Sequence, residues 1–353
     1  MTKNKNQDED FHVSILDAII HSISDAILAV DNKRKILFFN SKFSNQIYPV
    51  QHSSKIEDIF HDQDTISLFE NALRNKPQEK LKTLQIHLSN EIRYYSFSVS
   101  PFYGKHKEVI GAVGIFHDVT ELKEAEQMRI DFVANVSHEI RTPLTSIKGY
   151  ADTIWGDLKN GTKIEPELFE PIIRNCERLE NITKDLLDLS SLDAKHAIEK
   201  EVISIPDITR KIFNILKDTF NSRSQLANFT CDCIAMEGDE HRIEQVLTNL
   251  LDNASKYTPI GGSIEAHWYE NQSKEIVLEV KDNGPGISSE HLPRLFERFY
   301  RVDKGRSRNL GGTGLGLSIV KHIMLAHKGT VSVRSHIGKG SLFICVFPQF
   351  VKS

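Results

Sequence analysis

The chain has 353 residues, of which 39% are hydrophobic and 26% charged, the composition of a soluble globular protein of two or three domains. Its net charge of −4 leaves no basic excess for wrapping nucleic acid. No apolar run reaches the roughly 18 residues that a membrane span needs; the best stretch, Ser14 to Val30, is broken by Asp17, His21 and Asp25. The polar start MTKNKNQDED lacks the apolar core of a signal peptide. A cytoplasmic chain without an integral membrane segment is therefore expected. The cysteines Cys176, Cys231, Cys233 and Cys345 are too scattered for a disulfide framework. Cys231 and Cys233 form a C-x-C without a second pair, which favours alternating strand positions over zinc.

Beyond a polar leader at residues 1–10, residues 11–118 read as mixed α and β. A helix-like stretch leads into two short strands, DAILAVD and RKILFFN, with a turn at Asp31-Asn32. Short helical patterns follow, among them DTISLFENALRNK. Three longer strand patterns come next: KLKTLQIHLS, EIRYYSFSVSPF and EVIGAVGIFHD. Five strands with helices inserted after the second resemble the order of a PAS sensor domain.

From Thr120 to about Trp155 a long helix is expected. Its apolar residues Val133, Val136, Ile140, Leu144, Ile147, Ala151 and Ile154 have coiled-coil spacing. GDLKNGTKIEP reads as a loop. A second helix carries Ile172, Cys176, Leu179, Ile182, Leu186 and Leu189 on a similar seam. Two helices with one narrow seam each cannot enclose a core, whereas two copies of the hairpin close a four-helix bundle, so a homodimer is expected. Residues 119–195 form this hairpin unit. Residues 196–353 read as α/β, with helical patterns at Ile205–Asn221, His241–Tyr257 and Thr313–His327. Strand patterns there include SIEAHWYE, KEIVLEVKD, TVSVRSH and SLFICVFP.

Four places carry chemistry. His138 projects roughly 165° from the mean direction of its helix seam. Thr142 shares that outward face, and Glu139 sits at its flank. H-E-x-x-H zinc chemistry is excluded because Thr142 stands where the second histidine belongs. In the helix HRIEQVLTNLLDNASKYTP, Ile243, Val246, Leu247, Leu250 and Ala254 face inward, and Asn249, Asn253 and Lys256 outward. Amide oxygens suit Mg²⁺ bound together with substrate phosphates, and Lys256 adds positive charge. Asp282-Asn-Gly-Pro-Gly-Ile287 follows a strand: glycine lets backbone approach a flat ligand, and Asp282 can accept from an exocyclic amine. Finally, GGTGLGL opens a helix and presents N–H groups to an anion. A dinucleotide fingerprint would need a preceding strand, and FERFYRVDKGRSRN has no strand pattern. Taken singly, each of these admits a solvated face or an ordinary turn.

Together and in this order they resemble the boxes of the sensor histidine kinases, whose ATP-binding domain has the Bergerat fold. The H-box lies around His138 and the N-box around Asn249 and Asn253. Asp282, Gly284 and Gly286 form the D-x-G-x-G, Phe296 to Arg301 the F-box, and Gly312 to Gly316 the glycine box. Two stretches, FVANVSHEIRTPLTSIKGYADT and FERFYRVDKGRSRNLGGTGLGLSIVKHI, are most similar to the phosphate-regulon sensor branch. The resemblance implies an α+β multidomain chain: PAS domain, helical hairpin in a dimeric four-helix bundle, and α/β sandwich ATP-binding domain.

It also implies roles. His138 is the nucleophile toward the γ-phosphorus of ATP, and Glu139 its general base. Asn253 is a Mg²⁺ ligand supported by Asn249, while Lys256 and Arg301 neutralise phosphate. Tyr257 flanks the nucleotide and Asp282 reads the adenine amine, with Gly284 and Gly286 in the same loop. Gly312, Thr313, Gly314, Leu315 and Gly316 line the phosphates. Residues from about 288 to 309, basic at Lys304, Arg306 and Arg308, are the expected ATP lid. The implied partner is a response regulator with a receiver domain. Thr142, in the H-E-x-x-T pattern, is expected to position the water that dephosphorylates it. A chaperone- or topoisomerase-like ATPase would have no use for an exposed His138 on a dimerising hairpin, and a non-enzymatic scaffold would have lost ATP-site residues. No cysteine precedes Cys176, which excludes flavin–cysteinyl photochemistry in the PAS domain. Seven histidines before residue 118 leave haem open beside a ligand-free domain.

Overall fold

The computed structural model describes residues 18, 20, 22–50, 54–76, 82–87, 91–193, 198–233, 235–303 and 312–348. The leader, most of the helix-like stretch after it, Gly311, and the lid cations Lys304, Arg306 and Arg308 lie outside the described residues. Two units divide between Asp131 and Phe132, each with its own hydrophobic core.

In the first unit, β1 (Ala26–Asp31) and β2 (Ile36–Phe39) pair antiparallel. The turn forms because Asp31 Oδ1 accepts from the N–H groups of both Lys33 and Lys35 at 2.8 Å, the local bonding that makes aspartate a turn residue. Asn40 caps α1 (Ser41–Gln46): its Oδ1 accepts from Phe43 N and, across the fold, from Ile27 N, each at 3.0 Å. Asp62 caps α2 (Gln63–Leu73) through Thr65 N at 2.7 Å. The strands β3 (Lys82–His87), β4 (Ile92–Tyr103) and β5 (Val109–Asp118) complete an antiparallel sheet of order β2-β1-β5-β4-β3. The helices therefore enter after the second strand, as expected. Phe43, Phe69, Phe97 and Phe116 are fully buried between them and the sheet, with Phe97 stacked on Phe116 at 5.0 Å. Glycine at 114 makes room for this packing, since a Cβ there would come within 2.7 Å of Phe69.

The long helix α3 (Thr120–Lys159) leads into the second unit, and α4 (Phe169–Asp193) returns as its hairpin partner. The expected loop starts later than its glycines suggest, because α3 continues through Gly156 to Lys159. Helix α3 then closes at Gly161, whose φ of 68° is the left-handed conformation favoured after a helix end. Within one chain the seam is only partly covered. Ile154, Ile182 and Leu189 are buried, whereas Val133 and Leu144 are 58% and 56% exposed. Cys176, expected on this seam, is exposed as well.

The rest of the unit is a sheet layered against helices. Short strands β6 (Glu201–Ser204) and β8 (Ala235–Gly238) pair with each other. The expected helix over 205–221 is two, α5 (Ile205–Ile215) and α6 (Lys217–Ser222), which break at Leu216. The five-stranded sheet contains β7 (Leu226–Cys231), β9 (Ser263–Glu270), β10 (Ile276–Asp282), β11 (Thr330–His336) and β12 (Gly340–Phe347), ordered β11-β12-β10-β9-β7. Only the β7–β9 pair is parallel. Cys231 ends β7, but Cys233 lies beyond it and is buried, so the two do not alternate along one strand. Helices α7 (Glu240–Tyr257) and α8 (Gly316–Ala326) cover the sheet. Their apolar faces, including Ile243, Leu247, Leu250, Ile319 and Ile323, pack with Trp268 and Leu278 in one core. That leaves the opposite face of α7 at the rim of a cleft.

Candidate active site

His138 is exposed on α3. Pro143, inside the same helix, has no N–H to return to the carbonyl of Glu139 one turn earlier. The Thr142 hydroxyl donates to the main-chain carbonyl of His138 at 3.1 Å. Glu139 points the other way, into protein. Its Oε2 accepts from Arg178 Nη2 of α4 at 2.6 Å and from Arg301 Nη2 at 3.2 Å. The two arginine side chains are 11% and 6% exposed, and among the described residues the Nε of each is buried without a partner. Burial lowers the Arg301 pKa from its ordinary value; the Glu139 carboxylate opposes this and the Arg178 charge adds to it.

A cleft of about 820 Å³ opens between α7, the loop after β10, the start of α8 and the C-terminal half of α4. Asn249, Asn253, Lys256 and Tyr257 line it from α7. Both asparagines line the cleft, where an amide oxygen is a ligand suited to a hard cation. Lys256 pairs with Asp252 at 2.6 Å. The helix start is fixed by Asp239, which accepts from Arg242 N at 3.0 Å.

Asp282 is buried at the far end. Its Oδ1 accepts from Gly284 N at 2.8 Å and Ser341 N at 3.3 Å, which leaves Oδ2 for a ligand donor. Burial raises its carboxyl above the usual range, and the two backbone N–H groups oppose that. Gly286, at φ 71°, lets the loop pass against β11: a Cβ there would lie 2.0 Å from the His336 carbonyl oxygen. Gly312, Thr313, Gly314 and Gly316 line the cleft at the mouth of α8. Gly316 brings α8 onto α7, since its Cβ would stand 3.2 Å from Asn249 Oδ1. Leu315 differs from the expectation: it is fully buried in the core and is not a cleft-lining residue. Gly284 is buried beneath Asp282 and is likewise not at the cleft surface.

The arrangement is a cleft with two asparagine side chains on its wall, a buried acceptor and a helix mouth. It touches, through Arg301, the helix that displays a histidine. Family models match each part. The "Histidine kinase-, DNA gyrase B-, and HSP90-like ATPase" model matches residues 238–350. The "His Kinase A (phospho-acceptor) domain" model matches residues 128–195 and a PAS domain model residues 24–121. The chain has the domains of a PAS-containing sensor histidine kinase.

Sensor protein SrrB of Staphylococcus aureus is 33% identical to this chain over 343 residues, covering 95% of the chain and 56% of the relative. Phosphate regulon sensor protein PhoR of Pseudomonas aeruginosa is 36% identical over 247 residues, covering 69% and 55%. The chain thus spans about half the length of these curated relatives. Among solved structures, Acinetobacter baumannii histidine kinase AdeS aligns with a TM-score of 0.51 at 26% identity, covering 61% of this chain and 98% of that one. Histidine kinase ThkA, solved in complex with response regulator protein TrrA, aligns with a TM-score of 0.52 over 94% of this chain and 98% of that one. At 22% identity that second likeness shows the fold alone. Among the described residues no helix is long and apolar enough to cross a membrane.

Sequence reasoning missed the part of the candidate site contributed by α4. Arg178 holds Glu139, and Asp185 Oδ2 accepts from the Thr313 hydroxyl at 2.6 Å. Asp188 Oδ2 accepts from Gln245 Nε2 at 2.7 Å, and Ser191 Oγ from Arg242 Nη2 at 2.8 Å. Charged residues beside an apolar helical seam look alike whether they face water or another domain, so no sequence signal distinguished these.

Proposed function

We propose that the chain autophosphorylates His138 from ATP and passes the phosphoryl group to the receiver aspartate of a response regulator. The observation that carries this reading is the 3.2 Å contact between Arg301, a cleft residue, and Glu139, the neighbour of His138. A neutral His138 ring nitrogen attacks the γ-phosphorus, the bond to the β,γ-bridging oxygen breaks, and ADP leaves. The proton on the other ring nitrogen goes to Glu139, once that carboxylate is released from its two arginines.

Positioning and charge neutralisation dominate phosphoryl transfer, and this chain places its own groups for both. Asp282 holds the adenine amine, Tyr257 flanks the base, Lys256 and Arg301 face the phosphates, and Gly312, Thr313, Gly314 and Gly316 line them. Asn253, supported by Asn249, would hold Mg²⁺, whose charge offsets that of the phosphates. Thr142 serves phosphatase activity toward the regulator. The uncovered seam positions Val133 and Leu144 are closed by a second copy in a four-helix bundle. We place the domain divisions at residues 10/11, 118/119 and 195/196, and the site of action in the ATP-containing cytoplasm.

The test is incubation with γ-labelled ATP. The parent chain should incorporate label that is acid-labile and alkali-stable, as a phosphoramidate is. His138→Gln should incorporate none and still bind nucleotide. Label on a serine or threonine would refute the assignment.

A further inference from the structure

Two donors that this reading gives to the phosphates of ATP are already taken by carboxylates of the hairpin. The Thr313 hydroxyl donates to Asp185 Oδ2 at 2.6 Å, and Arg301 Nη2 donates to Glu139 Oε2 at 3.2 Å. Asp185, Thr313 and Arg301 all line the cleft. To a hydroxyl or a guanidinium, a carboxylate and a phosphate are the same kind of partner, an anionic oxygen that accepts a charge-assisted bond.

The two contacts are not equivalent. A guanidinium has five N–H donors, and only one of them is spent on Glu139, so Arg301 can engage a phosphate before it lets Glu139 go. The Thr313 hydroxyl has one proton. It cannot serve Asp185 and a phosphate oxygen together. Its oxygen is also occupied, accepting from Leu315 N at 3.2 Å. The Asp185 carboxylate stands in a half-buried place where water screens it poorly, and burial pushes its pKa up, with the Thr313 hydroxyl opposing. Lys184 and Lys256 also act to keep it ionised, whereas Asp188 acts against. Phosphates seated at the mouth of α8 would meet this negative charge directly.

We infer that Asp185 sets the affinity and phosphate selectivity of the nucleotide site, by holding the Thr313 hydroxyl in place of a phosphate until a polyphosphate ligand displaces it. The same displacement releases a tie between the ATP-binding domain and α4. The ties of Asp188 to Arg242 and Gln245 involve no group assigned to phosphate and stay in place. The inference rests on the nucleotide reading of the cleft.

Calorimetric binding to the full chain tests it, with a non-hydrolysable ATP analogue plus Mg²⁺ and, separately, adenosine. Asp185→Asn keeps an acceptor for Thr313 and the same shape but removes the charge; Asp185→Ala removes both. Removing one poorly screened like charge should tighten analogue binding by roughly three- to tenfold, with adenosine unchanged within about twofold. Equal or weaker analogue binding by folded Asp185→Asn would overturn the inference, as would an equal gain for adenosine. A parent chain that binds neither ligand would refute the nucleotide reading itself, a result distinct from a parent that binds and a variant that matches it.

Discussion

The Thr142 hydroxyl donates its only proton to the carbonyl oxygen of His138, 3.1 Å away on the preceding helical turn. Both residues are exposed. In that state the hydroxyl can orient a water only by accepting from it, as the proposed phosphatase role requires.

Thr142→Ala should therefore separate the two proposed activities. The hydroxyl touches neither Glu139 nor the cleft, so autophosphorylation should stay within a few-fold of the parent. Losing one positioned hydrogen bond at a reacting centre costs about 10²–10³ at the upper end, and a bond acting through water should cost roughly tenfold. Both rates are to be measured on one preparation with the cognate regulator. Equal losses would reduce Thr142 to a helix-supporting residue.

Asn253→Asp should cripple autophosphorylation with little change in stability. The side chain lines the cleft opposite the buried face of α7, where substitutions usually shift stability by no more than about 0.5 kcal/mol. Its carboxamide would become a charge facing phosphates. Nucleotide titrations with and without Mg²⁺ read this out, and an unaltered metal dependence would remove Asn253 as a ligand.

Gly286→Ala and Gly261→Ala form a matched pair. Both glycines have positive φ, 71° and 77°, but an added Cβ meets the His336 backbone oxygen at 2.0 Å in the first case and nothing within 4 Å in the second. Gly261→Ala should cost about 1 kcal/mol from backbone strain alone. Gly286→Ala must also move the loop away from β11, so it should cost several-fold more and weaken adenosine binding through Asp282. Thermal unfolding and adenosine titration of both variants check the order.

His327 supplies a pH prediction. Its Nδ1–H donates to the Ile323 carbonyl at 2.9 Å, while Nε2 accepts from Asp239 N at 3.1 Å, so the buried ring is neutral. Burial holds its pKa below the ordinary histidine value. The stabilisation it brings is complete above the unfolded value of about 6.5 and is lost as pH falls from there toward the depressed folded value. At pH 7.5 the parent should be more stable than His327→Gln, and the gap between their unfolding midpoints should narrow on acidification to pH 5.5. A constant gap would mean that the ring does not titrate differently on folding. Asp185 and Asp282, whose carboxyls are raised by burial, are common to both proteins and cancel in the difference.

Local chemistry makes much of the fold legible in the sequence. Strands β9 and β11 follow the SIEAHWYE and TVSVRSH patterns residue for residue, because alternation reports which face is buried. His138 is exposed and Leu247 and Leu250 are buried, because a 3.6-residue period separates the two faces of a helix. Asn249 and Asn253, and the glycines at 312, 314 and 316, which the motifs single out, line one cleft. Periodicity says that a face is covered, not by what. The short strands β6 and β8 and the break at Leu216 carry too few residues for a period to show. Leu315 has the same place in its motif as the cleft glycines beside it, yet the entry angle of α8 turns it into the core. Glu139 and Arg301 are 162 residues apart, and Asp185 and Thr313 are 128 apart. Pairings at such separations are set only when the sheet and the hairpin pack, so the contact between the His138 helix and the cleft was decided by tertiary structure alone.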